Sequence, residues 1–298
     1  MTDARLKMQD PRQQYPKPPF PKQPQPAPGL SAEMEPKPDH GEKSYTGSGK
    51  LLGRKALVTG ADSGIGRATA IAFAREGADV ALVYLPQEQR DADDVIRLIE
   101  AEGRKAIAIP GDIKEETFCQ QLVEKAVQGL GGLDILVNNA GKQKTQRTIG
   151  EITSEQFDAT LKTNLYAMFW ITKAAEAHLP QGAAVINTAS IQAVEPSESL
   201  LDYAITKAGI VAFTKALSKQ LIKKGVRVNA VAPGPVWTAL QPSGGQTQEK
   251  VQHFGENSPL GRPGQPVELA PVYVLLASQE ASFITGEVYG VTGGEGVV

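Results

Sequence analysis

An α/β fold, with one parallel sheet covered by helices on both faces, is predicted by three features of this 298-residue sequence. After Leu51, short and continuously apolar segments alternate with amphipathic helical segments, as expected for strands that are buried on both faces. A glycine-rich turn follows the first apolar segment directly. Because crossovers between consecutive parallel strands are right-handed, such a chain forms a doubly wound sheet. We therefore predict a single Rossmann-type domain over residues 47–298 with seven parallel strands.

The strands and helices are placed by the spacing of apolar residues, in chain order. Gly103 is predicted to end the second helix, because glycine readily takes the left-handed conformation that follows a helix. The predicted strands are residues 56–58, 80–85, 105–110, 133–137, 184–188, 226–231 and 287–291. The predicted helices between them are residues 68–75, 91–102, 115–129, 154–179, 201–224 and 266–277.

An extended arm over residues 1–46 is predicted to precede this domain. Prolines recur every two or three residues between Asp10 and Pro38, and their fixed φ and missing amide donors exclude helix and central strand. The arm is either a disordered tail or a segment that docks Tyr15 and Phe20 on its own domain or on a neighbouring subunit. The sequence leaves both interpretations open.

Composition excludes several classes of function. The formal net charge of -2 gives no global field that would attract nucleic acid or an anionic membrane, so neither partner is expected. Cys119 is the single cysteine, which excludes an intrachain disulfide and a thiolate cluster, and we expect no metal site. No apolar run approaches the length of a membrane span, so a soluble, cytoplasmic protein is expected.

The turn after the first strand has the spacing of a phosphate-binding turn. Gly60 allows a tight exit from the strand, Gly64 lets the backbone approach a pyrophosphate, and Gly66 lets the next helix pack closely on the sheet. The unpaired amides and the dipole at the start of that helix favour anionic oxygens. The pattern predicts a dinucleotide site.

Three further residues suit carbonyl chemistry. Tyr203 and Lys207 stand one helical turn apart, and Ser190 follows a strand at the sheet edge where ligands bind in such folds. A phenol has a pKa of about 10, and an ammonium at about 5 Å supplies roughly 3 kcal/mol toward lowering it. We expect Tyr203 to act as acid and base, Lys207 to lower its pKa, and Ser190 to orient the substrate oxygen. Alone, the Tyr-Lys spacing is equally consistent with a solvated helix face.

Taken together, the motifs resemble the short-chain dehydrogenase/reductase family. They are Thr59-Gly-x-x-x-Gly-x-Gly66, Asn138-Asn-Ala-Gly141, Ser190, Tyr203-x-x-x-Lys207 and Pro233-Gly234. The proline-rich arm is similar to that of a narrower group, which contains bacterial NADP-dependent aldehyde reductases and plant glucose and ribitol dehydrogenase homologues. The resemblance implies an NAD(P)-dependent enzyme that interconverts an alcohol and an aldehyde or ketone, and a homotetramer.

The same resemblance implies roles for individual residues. The implied catalytic residues are Asn164, which would hold a water in a proton relay, with Ser190, Tyr203 and Lys207. Cofactor binding is assigned to Gly60, Asp62, Ser63, Gly64, Ile65, Gly66, Tyr84, Leu85, Asp112, Ile113, Asn138, Ala140, Gly141, Tyr203, Lys207, Pro233, Gly234, Val236 and Thr238. Ser190, Gln192 and Trp237 would contact the substrate, and residues 241–257 are expected to form a mobile lid.

The residues after the second strand bear on the choice of cofactor. Members of the family that use NAD carry an acidic residue there, whereas this chain has Tyr84 and Leu85. NADP is therefore expected in preference to NAD, with Arg90 and Gln87, and Arg67 nearby on the first helix, as candidate partners of the 2′-phosphate. Asp62 would repel phosphates unless it turns toward the ribose or caps the loop.

Three alternatives to an aldehyde or carbonyl reductase are considered. A sugar or polyol dehydrogenase of the glucose or ribitol type uses the same catalytic residues. A nucleotide-sensing scaffold would need only the glycine turn, so the presence of Asn164, Ser190, Tyr203 and Lys207 argues for chemistry. A sugar epimerase or dehydratase would need a separate substrate domain, for which the region after Ser258 is short.

Overall fold

A computed structural model describes residues 7–296, so the outermost residues of the two predicted segments, 1–6 and 297–298, lie outside the described residues. Seven parallel strands form one sheet in the order β3-β2-β1-β4-β5-β6-β7, which confirms the doubly wound prediction. The strands are β1 Lys55–Thr59, β2 Asp79–Tyr84, β3 Ala106–Pro110, β4 Ile135–Asn138, β5 Ala184–Thr188, β6 Arg227–Pro233 and β7 Val288–Val291.

Helices cover both faces of this sheet. α1, α2 and α8 pack on one face, where Phe73, Ile99 and Leu276 are buried, and α3, α5 and α6 pack on the other, where Leu122 and Ile171 are buried. The strands β5 and β6 are buried along their whole length because side chains on both pleat faces meet a helical layer. The helices are α1 Gly64–Arg75, α2 Gln89–Ala101, α3 Glu116–Leu130, α4 Ser154–Leu161, α5 Ala167–Ala175, α6 Leu201–Leu221, α7 Gln248–Gln252 and α8 Pro266–Ala277.

The predicted long helix over residues 154–179 is interrupted. A π-helical turn, Lys162–Tyr166, separates α4 from α5, and a 3₁₀ turn, Glu176–His178, ends the segment. Asn164 lies in the π turn and hydrogen-bonds the backbone of Lys142 outside the helix. Such turns lie frequently at functional sites, and apolar spacing does not reveal them.

The arm packs on its own domain. Phe20 and Met34 are buried in a small apolar cluster with Trp237, Ala239 and Val251. The contact favours the docked interpretation over a free tail, and it joins the arm to the segment predicted to be a lid. That segment contains a π turn, Gln241–Gly245, and the short helix α7.

Candidate active site

A cavity of about 790 Å³ opens where the carboxyl ends of the strands meet. Its wall includes Gly60 after β1, Asn139 after β4, Ser190 after β5 and Gly234 after β6. Open α/β sheets bind ligands in this crevice, and the volume lies in the range of about 300–1,000 Å³ usual for cofactor sites.

The glycine turn has the backbone geometry that a dinucleotide site needs. Gly60 and Gly64 have φ values of 62° and 51°, in the left-handed region that favours glycine. A Cβ on Gly66 would overlap the Gly60 carbonyl oxygen, so Gly66 serves the packing of α1 and does not line the cavity. Because α1 begins at Gly64, its free amides lie beside the cavity, where a pyrophosphate fits.

The turn after β4 is hydrogen-bonded to the end of β1. Thr59 Oγ1 accepts hydrogen bonds from the amides of Asn139 and Ala140, at 2.9 and 3.0 Å. Asn138 was expected to bind cofactor, but its side chain points into the protein and donates to Thr172 and Asn187. Asn139 lines the cavity in its place, because neighbouring residues along a strand point to opposite faces.

Ser190, Tyr203 and Lys207 come together in one wall of the cavity, as predicted. All three are at most 8% exposed. The Ser190 and Tyr203 side chains are neighbours in this wall, and Lys207 Nζ donates to the Thr188 carbonyl oxygen at 2.7 Å. Lys207 Nζ also lies 5.3 Å from the centroid of the Tyr203 ring. The arrangement places a proton-donating phenol and a second hydroxyl where a carbonyl oxygen can reach both.

Burial controls the protonation of this group. Burial raises the pKa of Tyr203 to about 12, and the neighbouring Ser190 hydroxyl opposes this rise only in part. Burial alone lowers the pKa of Lys207 to about 7. The expected lowering of the phenol pKa by Lys207 is therefore absent, because the desolvated lysine has itself lost much of its preference for the charged form.

Asn164 lies directly behind this wall. It is 2% exposed, and its side chain accepts from the Lys142 amide and donates to the Lys142 carbonyl and to Thr206. A Cβ on Gly141 would lie 3.7 Å from Asn164 Oδ1 and 3.8 Å from Lys207 Nζ, so both side chains point toward Gly141. Asn164 and Lys207 therefore both approach Gly141, and the implied water relay between them stays a prediction.

The other end of the cavity carries carboxyl groups. Asp62 lines it and is 1% exposed, yet no residue in 7–296 hydrogen-bonds its Oδ2. Burial raises the pKa of Asp62 to about 6 and that of Glu88, helped by the Asp62 charge, to about 8. A ribose hydroxyl is a donor of the kind that Asp62 Oδ2 lacks. Arg67, one expected phosphate partner, is instead paired with Glu42 at 3.1 Å.

Trp237 is the clearest correction to the predicted site. It is fully buried under the arm and does not line the cavity, so it is not placed to contact substrate. The strand-like extension after β6 alternates inward and outward, which leaves Val236 and Thr238 in the cavity wall and turns Trp237 to the arm side. Gln192 does line the cavity, and its Oε1 accepts from the Ser197 amide at 2.7 Å.

The remaining predicted cofactor residues all line the cavity. They are Ser63, Ile65, Tyr84, Leu85, Asp112, Ile113, Ala140, Gly141, Pro233, Gly234, Val236 and Thr238. Sequence reasoning missed the arm residues Ala27, Pro28 and Gly29, which also line it. It missed Tyr273 of α8 too, whose hydroxyl lies 2.7 Å from Thr188 Oγ1 beneath the site. These arm residues and Tyr273 belong to no recognisable sequence motif, because tertiary packing alone brings them to the site.

No helix between residues 7 and 296 is both long and apolar enough to cross a bilayer.

Comparison with curated proteins gives long and close matches. The chain is 58% identical over 288 residues to the Escherichia coli (strain K12) protein named uncharacterized oxidoreductase YghA, covering 97% of this chain and 98% of that one. It is 42% identical to NADPH-dependent aldehyde reductase 1, chloroplastic, of Arabidopsis thaliana, covering 90% and 94%. It is 43% identical to the glucose and ribitol dehydrogenase of Daucus carota, covering 90% and 93%.

Solved structures agree with these matches. A short chain dehydrogenase from Burkholderia cenocepacia J2315 in complex with NADP superposes with a TM-score of 0.77 at 33% identity, covering 82% of this chain and 98% of that one. A short chain dehydrogenase from Mycobacterium paratuberculosis bound to NAD gives 0.74 at 30% identity, covering 83% and 98%.

The family model described as enoyl-(acyl carrier protein) reductase matches residues 60–295, from the glycine turn to the far end of the cavity wall. With the sheet order, the Ser190-Tyr203-Lys207 wall and relatives at this level of identity, these matches show that the chain belongs to the short-chain dehydrogenase/reductase family of oxidoreductases.

Proposed function

We propose that this protein reduces aldehydes, and related small carbonyl compounds, to alcohols with a reduced nicotinamide cofactor. One observation carries the proposal. Ser190, Tyr203 and Lys207 lie together in the wall of a cavity of about 790 Å³ that begins at the glycine turn. The printed name of the Arabidopsis thaliana relative, an aldehyde reductase, supports aldehydes as the substrate class.

Ser190, Tyr203 and Lys207 have different roles in the proposed reaction. The cofactor, when bound, supplies the hydride that adds to the carbonyl carbon. Ser190 holds the carbonyl oxygen by a hydrogen bond, and Tyr203 donates the proton that this oxygen needs to become a hydroxyl. With a pKa raised to about 12, Tyr203 is protonated at neutral pH and therefore available as the acid. Lys207, beside it, supplies or takes up a proton as it titrates near neutral pH.

NADP(H) is the cofactor we propose in preference to NAD(H). The position after β2 carries the apolar side chain of Leu85, which does not repel a 2′-phosphate, and one relative is named NADPH-dependent. Glu88, whose pKa is raised to about 8, is mostly neutral at pH 7 and can donate to a phosphate oxygen. Dissociation constants for both cofactors test this, and Leu85→Asp should move the preference toward NAD, with Leu85→Asn as the uncharged control.

The direct experiment follows reduced-nicotinamide absorbance with purified protein. Each cofactor is paired with a panel of aldehydes, ketones and polyols, and Tyr203→Phe serves as the inactive control. Reduction of aldehydes that is lost in Tyr203→Phe supports the proposal. A protein that binds the cofactor but turns over no member of the panel would instead favour the nucleotide-sensing scaffold.

A sugar or polyol dehydrogenase is the second candidate. The cavity wall beyond Ser190 is polar, with Lys142, Gln143 and Gln192 contributing amide and ammonium groups that suit a polyhydroxylated substrate. The name of the Daucus carota relative points the same way. Faster oxidation of glucose or ribitol than reduction of any aldehyde, compared at the same pH, would favour this candidate.

A homotetramer in the cytoplasm completes the proposal. Phe169 of α5 and Ile205 of α6 are 48% and 47% exposed, and with Tyr166 and Leu201 they leave apolar surface on the helices that the family resemblance assigns to subunit pairing. Light scattering should give about four times the 31.7 kDa subunit mass, and Phe169→Glu should reduce it. Cell fractionation tests the location.

A further inference from the structure

Residues 234–254, here called the cover segment, form one whole side of the cavity. Val236, Thr238 and Leu240 line it, and Thr238 reaches the glycine turn on the opposite side. A Cβ on Gly64 would lie only 3.0 Å from Thr238 Cγ2. The cover segment therefore spans the cavity from β6 to α1, and its position controls how open the cofactor site is.

The arm runs along the outer side of the cover segment, and three of its backbone amides donate hydrogen bonds to that segment. The Phe20 amide donates to the Gln252 carbonyl at 2.8 Å, and the Gln23 amide donates to Gln248 Oε1 at 2.9 Å. The Gln25 amide donates to the Pro242 carbonyl at 3.3 Å. These contacts join the arm to the cover segment at positions more than 200 residues apart in the chain.

The apolar anchor of this contact is the pair Phe20 and Trp237. Their ring centroids lie 4.2 Å apart, and the two side chains are 4% and 0% exposed. Trp237 Nε1 donates to the Pro36 carbonyl of the arm at 2.8 Å, which satisfies the one polar atom of the buried indole. Val236 and Thr238, which line the cavity, flank Trp237 in the chain. The packing of Phe20 on Trp237 therefore fixes the position of both residues.

The arm also reaches the cavity itself. Gly29 lies against the cover segment so closely that a Cβ there would be 2.6 Å from the Ala239 carbonyl oxygen. Pro28 and Gly29 line the cavity, and the next residue but one, Ser31, donates its amide to Asp91 of α2 at 2.6 Å. The arm is thus bound to α2 and to the cover segment, on two sides of the cavity.

We infer that Phe20 is a positioning residue for the cofactor site: by packing on Trp237 it holds the cover segment closed over a bound dinucleotide and slows its release. This inference rests on one part of the proposed function, namely that the cavity binds a nicotinamide dinucleotide. The arm is proline-rich and already extended, so little conformational entropy is lost when it docks. The conformational entropy that is lost in fixing the cover segment is therefore lost on folding, and not when the cofactor binds.

The test compares Phe20→Ala and Phe20→Leu with Phe283→Ala, which removes the same ring from a fully exposed position. Phe20→Ala should raise the dissociation constant for NADPH about tenfold, mainly through a faster dissociation rate, with Phe20→Leu intermediate. Single-turnover hydride transfer at saturating cofactor, and its pH profile, should stay within about twofold of the unmodified protein. Phe283→Ala should behave as the unmodified protein in every measurement.

A second measurement needs no cofactor. Lys250 lies exposed in α7 of the cover segment, so trypsin cleavage after it reports how often the segment opens. Phe20→Ala should be cut there several times faster than Phe283→Ala, as read by intact mass. Unchanged NADPH affinity, or unchanged cleavage at Lys250, would overturn the inference. If the unmodified protein binds no nicotinamide dinucleotide, the proposed function is wrong. The cleavage comparison would then still test whether Phe20 keeps the cover segment in place.

Discussion

Burial sets the chemistry of the individual residues at this site more than their charges do. Tyr203 and Lys207 sit in one wall with at most 8% of their surface exposed, and loss of water raises one pKa and lowers the other. Near pH 7 the Tyr203 phenol is therefore protonated and neutral, and Lys207 is about half protonated. A phenol that stays protonated is suited to giving a proton to an oxygen as negative charge develops there.

Tyr203→Phe should test that role directly. Because only the transition state uses the hydroxyl, turnover should fall by about 10²–10⁴-fold while the dissociation constant for the cofactor stays nearly unchanged. Steady-state kinetics and a binding titration measure the two quantities, and Tyr289→Phe on β7 is the matched control. Turnover close to that of the control would refute the assignment of Tyr203 as the acid.

The carboxyl groups of Asp62 and Glu88 in the cavity wall predict a pH dependence of cofactor binding. Glu88 is neutral below its pKa of about 8 and anionic above it, so a 2′-phosphate meets a new negative charge as pH rises through 8. The affinity for NADP should weaken about tenfold between pH 7 and 9, while the affinity for NAD stays flat. The phosphate itself, with a second pKa of about 6, is already fully ionised over this range.

Glu88→Gln provides the control, because the amide does not titrate. Its affinity for NADP should be independent of pH between 7 and 9, as measured by fluorescence titration. A profile for Glu88→Gln that falls as steeply as that of the unmodified protein would assign the effect to another group.

At the scale of secondary structure, the π turn between α4 and α5 is the element that completes the site. It turns Asn164 out of the helical pattern, so that its amide bonds the backbone of Lys142 at 2.7 and 2.9 Å and Thr206 at 3.0 Å. The link joins the loop after β4 to α6, the helix that carries Tyr203 and Lys207. In a regular helix over these residues, Asn164 would not make these hydrogen bonds between the loop after β4 and α6.

Asn164→Ala should therefore damage both stability and turnover. Removing the amide takes a partner from the part-buried backbone of Lys142 and from the buried Thr206 hydroxyl, and an unsatisfied buried group costs about 1–3 kcal/mol. A loss of that size lowers the melting temperature by several degrees in a domain this large. Lys162→Ala alters the same π turn at a half-exposed side chain that pairs with Asp158 at 2.9 Å, and it should leave both quantities unchanged. Equal effects of the two substitutions in melting and kinetic assays would show that the turn matters and the amide does not.

At the scale of the whole molecule, the arm acts as part of the catalytic domain. Besides its contacts to the cover segment, it accepts hydrogen bonds from Arg75 at Gly41 and Tyr45, and the Tyr45 hydroxyl donates to Glu76 at 2.6 Å. Burial and the neighbouring Glu76 charge raise the pKa of Tyr45, so this hydroxyl remains a donor. The arm docks on the chain that carries it, which separates its role from that of the helices proposed to pair subunits.

Deletion of residues 1–46 should lower the melting temperature by about 5 °C or more, because it uncovers Trp237 and leaves Glu76 and Asp91 without their arm partners. The mass from light scattering should not change, since the arm contacts lie within one chain. Deletion of residues 1–8 is the control and should melt like the full chain. An unchanged melt after the longer deletion would show that the docked arm contributes nothing to stability, and a changed mass would place it in a subunit interface.

By itself, the sequence determined the order of strands and helices, the glycine turn and the Ser190-Tyr203-Lys207 wall. These depend on local patterns: apolar spacing that matches a strand or helix, glycines where φ is positive, and motifs at the carboxyl ends of strands. Only the tertiary structure decided the π turn at Asn164, the exchange of Asn138 for Asn139, and the burial of Trp237 beneath Phe20. It also decided the pKa values at the site. Each of these depends on which distant segments exclude water from a side chain or offer it a partner, and no local pattern in the sequence carries that information.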